Sequence, residues 1–188
     1  AEPLSPIKRA LIEIRELNVN TRADALAELL APIQAGRDGG LLSEAGVPAV
    51  ADPGAELVRL AHPRGIRVRP LVGPSSILLA VMGSGLNAQS FAFNGYLPVD
   101  ANERAQRLRE LEQRSRKSSQ TQVFIETPYR NAALLEAMRQ HCAGTTLLSV
   151  AVDLTLATET IVTLPLSAWR ADRMVLHNRP AIFSLLAA

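Results

Sequence analysis

The stretch that most constrains this 188-residue chain runs from Gly39 to Ser76. Leu41 and Leu42 give way to Ser43-Glu44-Ala45-Gly46-Val47-Pro48 and then to Asp52-Pro53-Gly54, after which Leu57, Val58, Leu60 and Ala61 line a helix stopped by Pro63 and Gly65. Residues 66–72 set arginines against Ile, Val and Leu, break at Gly73-Pro74-Ser75-Ser76, and resume as a helical pattern over 77–82 that ends at Gly83-Ser84-Gly85. A short apolar run, a loop of small residues and then a helix is the grammar of a parallel α/β sheet, whose strand-to-helix loops line a ligand crevice.

The rest of the chain extends this plan. Asn20 or Thr21 is placed to cap a helix carrying Leu26, Leu29, Leu30 and Ile33. Phe91 and Phe93 alternate with small or polar residues up to Gly95-Tyr96-Leu97-Pro98, and a domain boundary falls just before this run. Residues 101–117 read as a charged helix, 115–120 as a polar, mobile stretch, and 129–141 as a helix with Leu134, Leu135 and Met138 on one face. Strands are expected at 121–126, 147–152, 161–166 and 181–186. The expected fold class is α/β: two α/β domains, 1–88 and 89–188, each a parallel or mixed sheet flanked by helices, with a ligand cleft between them.

Composition narrows the function. Apolar residues make up 47% and aromatics 4%, so the core is built from aliphatic side chains, and the formal charge is only +2. One cysteine, Cys142, leaves no disulfide framework and suits a reducing cytoplasm. The start, Ala1–Pro6, lacks a basic segment followed by an apolar run, and no stretch nears ~18 consecutive apolar residues, so no membrane partner is expected. His62, His141 and His177 are scattered, which arranges neither a metal site nor a catalytic triad. Neither a Gly-x-Gly-x-x-Gly fingerprint nor a Gly-Lys-Ser/Thr phosphate loop is present. What remains are the loops 43–48 and 73–76, where small side chains let a ligand approach the backbone. Spacing alone does not decide between a ligand loop and a tight turn with a serine cap.

Several motifs carry a resemblance. Ser43-Glu44-Ala45-Gly46-Val47-Pro48 with Asp52-Pro53-Gly54 is similar to the Ser-Asp-Ala-Gly-Thr-Pro and Asp-Pro-Gly signature of the tetrapyrrole methylase superfamily. Gly73-Pro74-Ser75, Ser84-Gly85-Leu86 and Phe93-Asn94-Gly95-Tyr96-Leu97-Pro98 continue it in order. Glu126-Thr127-Pro128-Tyr129-Arg130 and Asp153-Leu154-Thr155 resemble the Glu-Ser-Pro-His-Arg and Glu-Leu-Thr of its branch that methylates ribose 2′-hydroxyls of small-subunit ribosomal RNA. The resemblance implies S-adenosylmethionine held in a cleft between two domains of a homodimer. Position by position, the cofactor would meet Glu44, Ala45, Gly46 and Val47, then Ser75 and Ser76, and from the second domain Thr127, Val152, Pro180 and Ala181. A hydroxyl acceptor calls for a base, and Glu126, Asp153 and Glu159 are the carboxylates in range of the motifs, each with an ion pair such as one to Arg130 as its ordinary alternative.

The chain also departs from the pattern. The branch opens with a strand ending in Thr-Pro-Ile-Gly-Asn-Leu and a second strand with Glu-Asp-Thr-Arg. Residues 1–17 are too few for both: either residues are missing near Pro6/Ile7 and near Arg170–Met174, or the chain lacks part of its cofactor domain. Glu44 stands for aspartate, Val47 for threonine and Leu156 for lysine. These changes suit the cofactor and leave the acceptor open among ribosomal RNA in the 30S subunit, a tetrapyrrole or other small molecule, and a non-catalytic role on the same fold. The arginines of the 101–117 helix read either as a phosphate-contacting surface or as a solvated face balanced by glutamates.

Overall fold

The computed structural model describes residues 12–170 and 172–188, so the features expected at Ala1–Pro6 and at Pro6/Ile7 lie outside the described residues, as does Ala171. The chain divides into two compact units, one ending at Gly73 and the other running Pro74–Ala188. Among the described residues, no helix is long and apolar enough to cross a membrane.

In the first unit, α1 (Ala23–Gln34) and α2 (Ala55–Ala61) form where the apolar spacing places them, and α2 runs on into a 3-10 turn at His62–Arg64. Leu26 and Leu30, one turn apart, are buried, as is Ala61. Neither expected cap holds α1: its N-cap is Arg22, while the Thr21 hydroxyl accepts from the Asn18 amide at 2.9 Å and closes the preceding turn instead. The expected strands at 41–42 and 66–72 form no ladder among the described residues, and Leu42, Leu71 and Val72 are exposed. Two short runs do not make an independent sheet, which needs three or more strands sharing a covered face.

The second unit holds a five-stranded mixed sheet. Its strands are β1 (Phe91–Tyr96), β2 (Thr121–Ile125), β3 (Leu147–Val152), β4 (Thr160–Pro165) and β5 (Ala181–Leu186), in the order β1-β2-β5-β3-β4. Only β1 and β2 pair in parallel, and α4 (Ala101–Ser118) makes the crossover between them. Side chains alternate faces with period two. Phe124, Val150, Val152 and Phe183 join Leu108 and Leu111 of α4, Leu134 and Met138 of α5 (Asn131–His141), and Trp169 in the main core. Val123, Ala151 and Ile182 point the other way, onto Ile77, Ala80 and Val81 of α3 (Ser76–Ser84). The sequence reading gives α3 to residues 1–88, yet it packs on the sheet of the second unit, because its apolar stripe matches that otherwise uncovered face.

Ser75 caps α3 by accepting from the Leu78 amide at 3.5 Å, and Gly85, with φ of 68°, closes it. The stretch 115–120 is a correction. α4 continues to Ser118, and Ser115 is fully buried, its hydroxyl accepting from the Ala187 amide at 2.9 Å. A polar residue is held in place wherever a backbone amide needs an acceptor.

Candidate functional site

The sheet register gathers most of the expected second-domain residues at one end. Ile125 pairs with Ile182, Val152 with Ala181, and Tyr96 with Ile125. The carboxyl ends of β1, β2 and β3 and the amino end of β5 therefore share an edge, bringing Glu126, Thr127, Val152, Asp153, Pro180 and Ala181 together.

Each carboxylate there is engaged. Glu126 Oε1 accepts from the Thr127 amide at 2.8 Å and its hydroxyl at 3.2 Å, while Oε2 lies 3.1 Å from Arg130 Nη2 in a buried ion pair. Oε2 accepts no hydrogen bond, so its contact with Arg130 is ionic only. Asp153 adopts the left-handed φ of 51°, and its amide donates to the Pro180 carbonyl at 3.0 Å. Its Oδ2 accepts from the Thr158 hydroxyl at 2.7 Å and Arg179 Nε at 2.9 Å. The Thr158 hydroxyl first, and then Arg179, hold the Asp153 carboxyl below the usual carboxylate range. Glu159 accepts from the Thr155 amide at 2.6 Å and so closes the turn after β3.

Two residues that sequence reasoning missed hold this edge together. Arg179 donates to Asp153, to the Val175 carbonyl at 3.1 Å and to the Thr158 carbonyl at 2.7 Å, tying the segment before β5 to the loop after β3. Asn131 Nδ2 donates to the Arg179 carbonyl at 2.7 Å and the Leu176 carbonyl at 3.3 Å. Their partners are far apart in sequence, and no local pattern marks them.

In the first unit, Glu44, Ala45 and Gly46 form an exposed loop pinned by the Ser43 hydroxyl, which donates to the Ala45 carbonyl at 2.7 Å. Gly46 has φ of 75° with open space where a Cβ would stand, so the loop backbone is approachable. Val47 is half-buried beside Gly73, where a Cβ would meet Val47 Cγ1 at 3.4 Å. Loop 43–48 and the end of the 66–73 segment therefore touch. Ser75 and Ser76 begin α3 in the second unit, Ser75 acting as the cap and Ser76 exposed.

Two other features stand apart. A cavity of about 260 Å³ lined by Asn87, Ser119, Leu147, Leu186, Ala187 and Ala188 lies at the opposite end of the sheet. Cys142 is half-buried; burial, then the nearby Glu112 carboxylate, push its thiol up to about 12, so it stays protonated at neutral pH and behaves as a packing residue.

A family model described as Tetrapyrrole (Corrin/Porphyrin) Methylases matches residues 3–169, through both units. The chain belongs to the tetrapyrrole methylase family. The Ribosomal RNA small subunit methyltransferase I of Pseudomonas aeruginosa is 38% identical over 135 residues, which are 72% of this chain and 46% of the relative. The protein of that name from Vibrio cholerae is 32% identical over 171 residues, 85% of this chain and 58% of the relative. The chain thus spans about half the length of the curated relatives it matches. Among solved structures, the methyltransferase CobJ is similar with a TM-score of 0.58 at 19% identity, over 95% of this chain and 79% of that one. The Uroporphyrin-III C-methyl transferase from Thermus thermophilus, complexed with S-adenyl homocysteine, gives 0.52 at 18%, over 89% and 74%. At such identities the likeness concerns the fold, and the tetrapyrrole methylase fold fits the mixed α/β architecture of this chain.

Proposed function

We propose that this protein is an S-adenosylmethionine-dependent methyltransferase whose acceptor is a ribose hydroxyl of small-subunit ribosomal RNA, working as a homodimer in the cytoplasm. The observation that carries the reading is the 38% identity over 135 residues to a relative named for that RNA.

The residues present fit the cofactor. Gly46 leaves its backbone open between Ala45 and Val47, and exposed Glu44 supplies a carboxylate beside it. Bound S-adenosylmethionine supplies an activated methyl on a sulfonium, so the protein's task is alignment and charge. Thr127, Val152, Pro180 and Ala181 stand together at one end of the sheet, where the Thr127 hydroxyl, which donates to Glu126, keeps lone pairs to accept from a ligand. Asp153, whose Oδ2 accepts from Thr158 and Arg179, serves to orient the loops around it. Glu126 is the carboxylate we assign to take the proton of an acceptor hydroxyl, a role that requires Oε2 to be released from its ion pair with Arg130.

Calorimetric titration with S-adenosylhomocysteine tests the cofactor part. Saturable binding that is lost in Gly46→Val, where a side chain would enter the open space of the loop, is the expected result. An absence of binding by the unaltered protein overturns the reading.

A further inference from the structure

We infer that the outer face of α4 from Arg109 to Lys117 is a phosphate-contacting surface for the RNA. The choice of RNA rests on the function proposed above; the surface itself follows from which charges on this helix are already used.

Near its start, the helix satisfies its own cations. Arg104 donates to the Val99 carbonyl at 2.9 Å, and Arg107 pairs with Glu110 at 3.4 Å and bonds Asn94 at 3.3 Å. Glu112, which would balance the next turn, is buried and turned inward, where it accepts from the Ala143 amide at 2.7 Å and from the Thr146 hydroxyl. Beyond it, residues 113–120 contain no carboxylate.

Arg109, Arg114 and Lys117 are exposed and make no ion pair among the described residues. At ~100° and ~1.5 Å per residue they fall within an arc of about 140° along about 12 Å of helix, and the carboxylate in that arc, Glu110, is engaged by Arg107. The helix dipole accounts for Lys117 and the neighbouring Arg116 in the last turn, and Arg116 is also spent on the Ala188 carbonyl at 2.8 Å. It does not account for Arg109 and Arg114, which sit further in. Three like charges this close repel one another, and an anionic backbone relieves that cost while releasing its own counterions. The arginine forks suit phosphate oxygens bidentately.

The test uses the full chain with deproteinised small-subunit ribosomal RNA as probe, its affinity measured across about 50 to 200 mM salt. The triple variant Arg109→Gln, Arg114→Gln, Lys117→Gln removes three exposed charges without touching the core. It should flatten the slope of log affinity against log salt by about 2 to 3, at ~0.7–0.9 per lost phosphate contact. Arg59→Gln with Arg67→Gln and Arg69→Gln removes the same charge from the first unit and should flatten it far less. Equal flattening by this control, or an unchanged slope in the α4 variant, overturns the proposal. Titration with S-adenosylhomocysteine separates the two claims. Failure of the unaltered protein to bind it counts against the methyltransferase alone, while a selective loss of salt dependence in the α4 variant upholds the surface.

Discussion

At the scale of single residues, folding lowers the pKa of the Asp153 carboxyl. A carboxyl whose pKa is lowered by folding stabilises the native state above its unfolded value, near 3.8, and that contribution is lost as pH falls through the lower folded value. Asp153→Asn should therefore flatten the acid limb of the melting temperature plotted against pH and leave its neutral shape unchanged. Glu126 makes a separate prediction. Glu126→Gln keeps an oxygen for the Thr127 amide and should reduce methyl transfer by about 10²- to 10⁴-fold while S-adenosylhomocysteine still binds, a split that single-turnover kinetics beside calorimetry would detect. The residues of this edge were legible in unequal measure. Glu126, Thr127 and Asp153 stand in short motifs that can be read locally. Arg179 and Asn131 act across strand pairings, and Asp153 with Arg179 bridges 26 positions. Only the register of β5 against β3 brings that pair together.

At the scale of elements, period and caps carried most of the information. Ser75 caps α3 and Asp100 caps α4, its carboxylate accepting from the amides of Asn102 at 2.9 Å and Glu103 at 3.0 Å. Asp100→Ala should cost about 1 kcal/mol in denaturant unfolding, the usual loss for an exposed cap. Ser115→Ala should cost more, about 1–3 kcal/mol, because it strands the buried Ala187 amide; a value near zero would mean that water replaces the hydroxyl. The inner strands of the second unit were readable because both their faces are covered, which leaves largely apolar runs such as Leu147–Val152, broken by Ser149, whereas the edge strands β1 and β4 are half-buried. The runs at 41–42 and 66–72 show the limit of that reasoning. Strand propensity describes a segment, while a strand exists only with partners, and neither run has one among the described residues. Residues 115–120 fail for the opposite reason: their polarity suggested mobility, and a distant amide fixed Ser115.

At the scale of the molecule, each unit carries its own share of the family's motifs: the open loop at Gly46 in the first, and the sheet end with Thr127, Val152 and Ala181 in the second. The family was legible because the motifs of both units occur in one order along the chain, a coincidence that single loops do not supply. The acceptor was not legible, since the positions that differ from the family pattern, Glu44, Val47 and Leu156, carry no chemistry that selects RNA over a small molecule. The measurement that bears most directly on the central claim is transfer of a labelled methyl group from S-adenosylmethionine to 30S subunits and, in parallel, to tetrapyrrole precursors. The account predicts label on a ribose of the small-subunit RNA and none on the precursors. Label on the precursors alone, or no transfer to either by a protein that binds the cofactor, would contradict it.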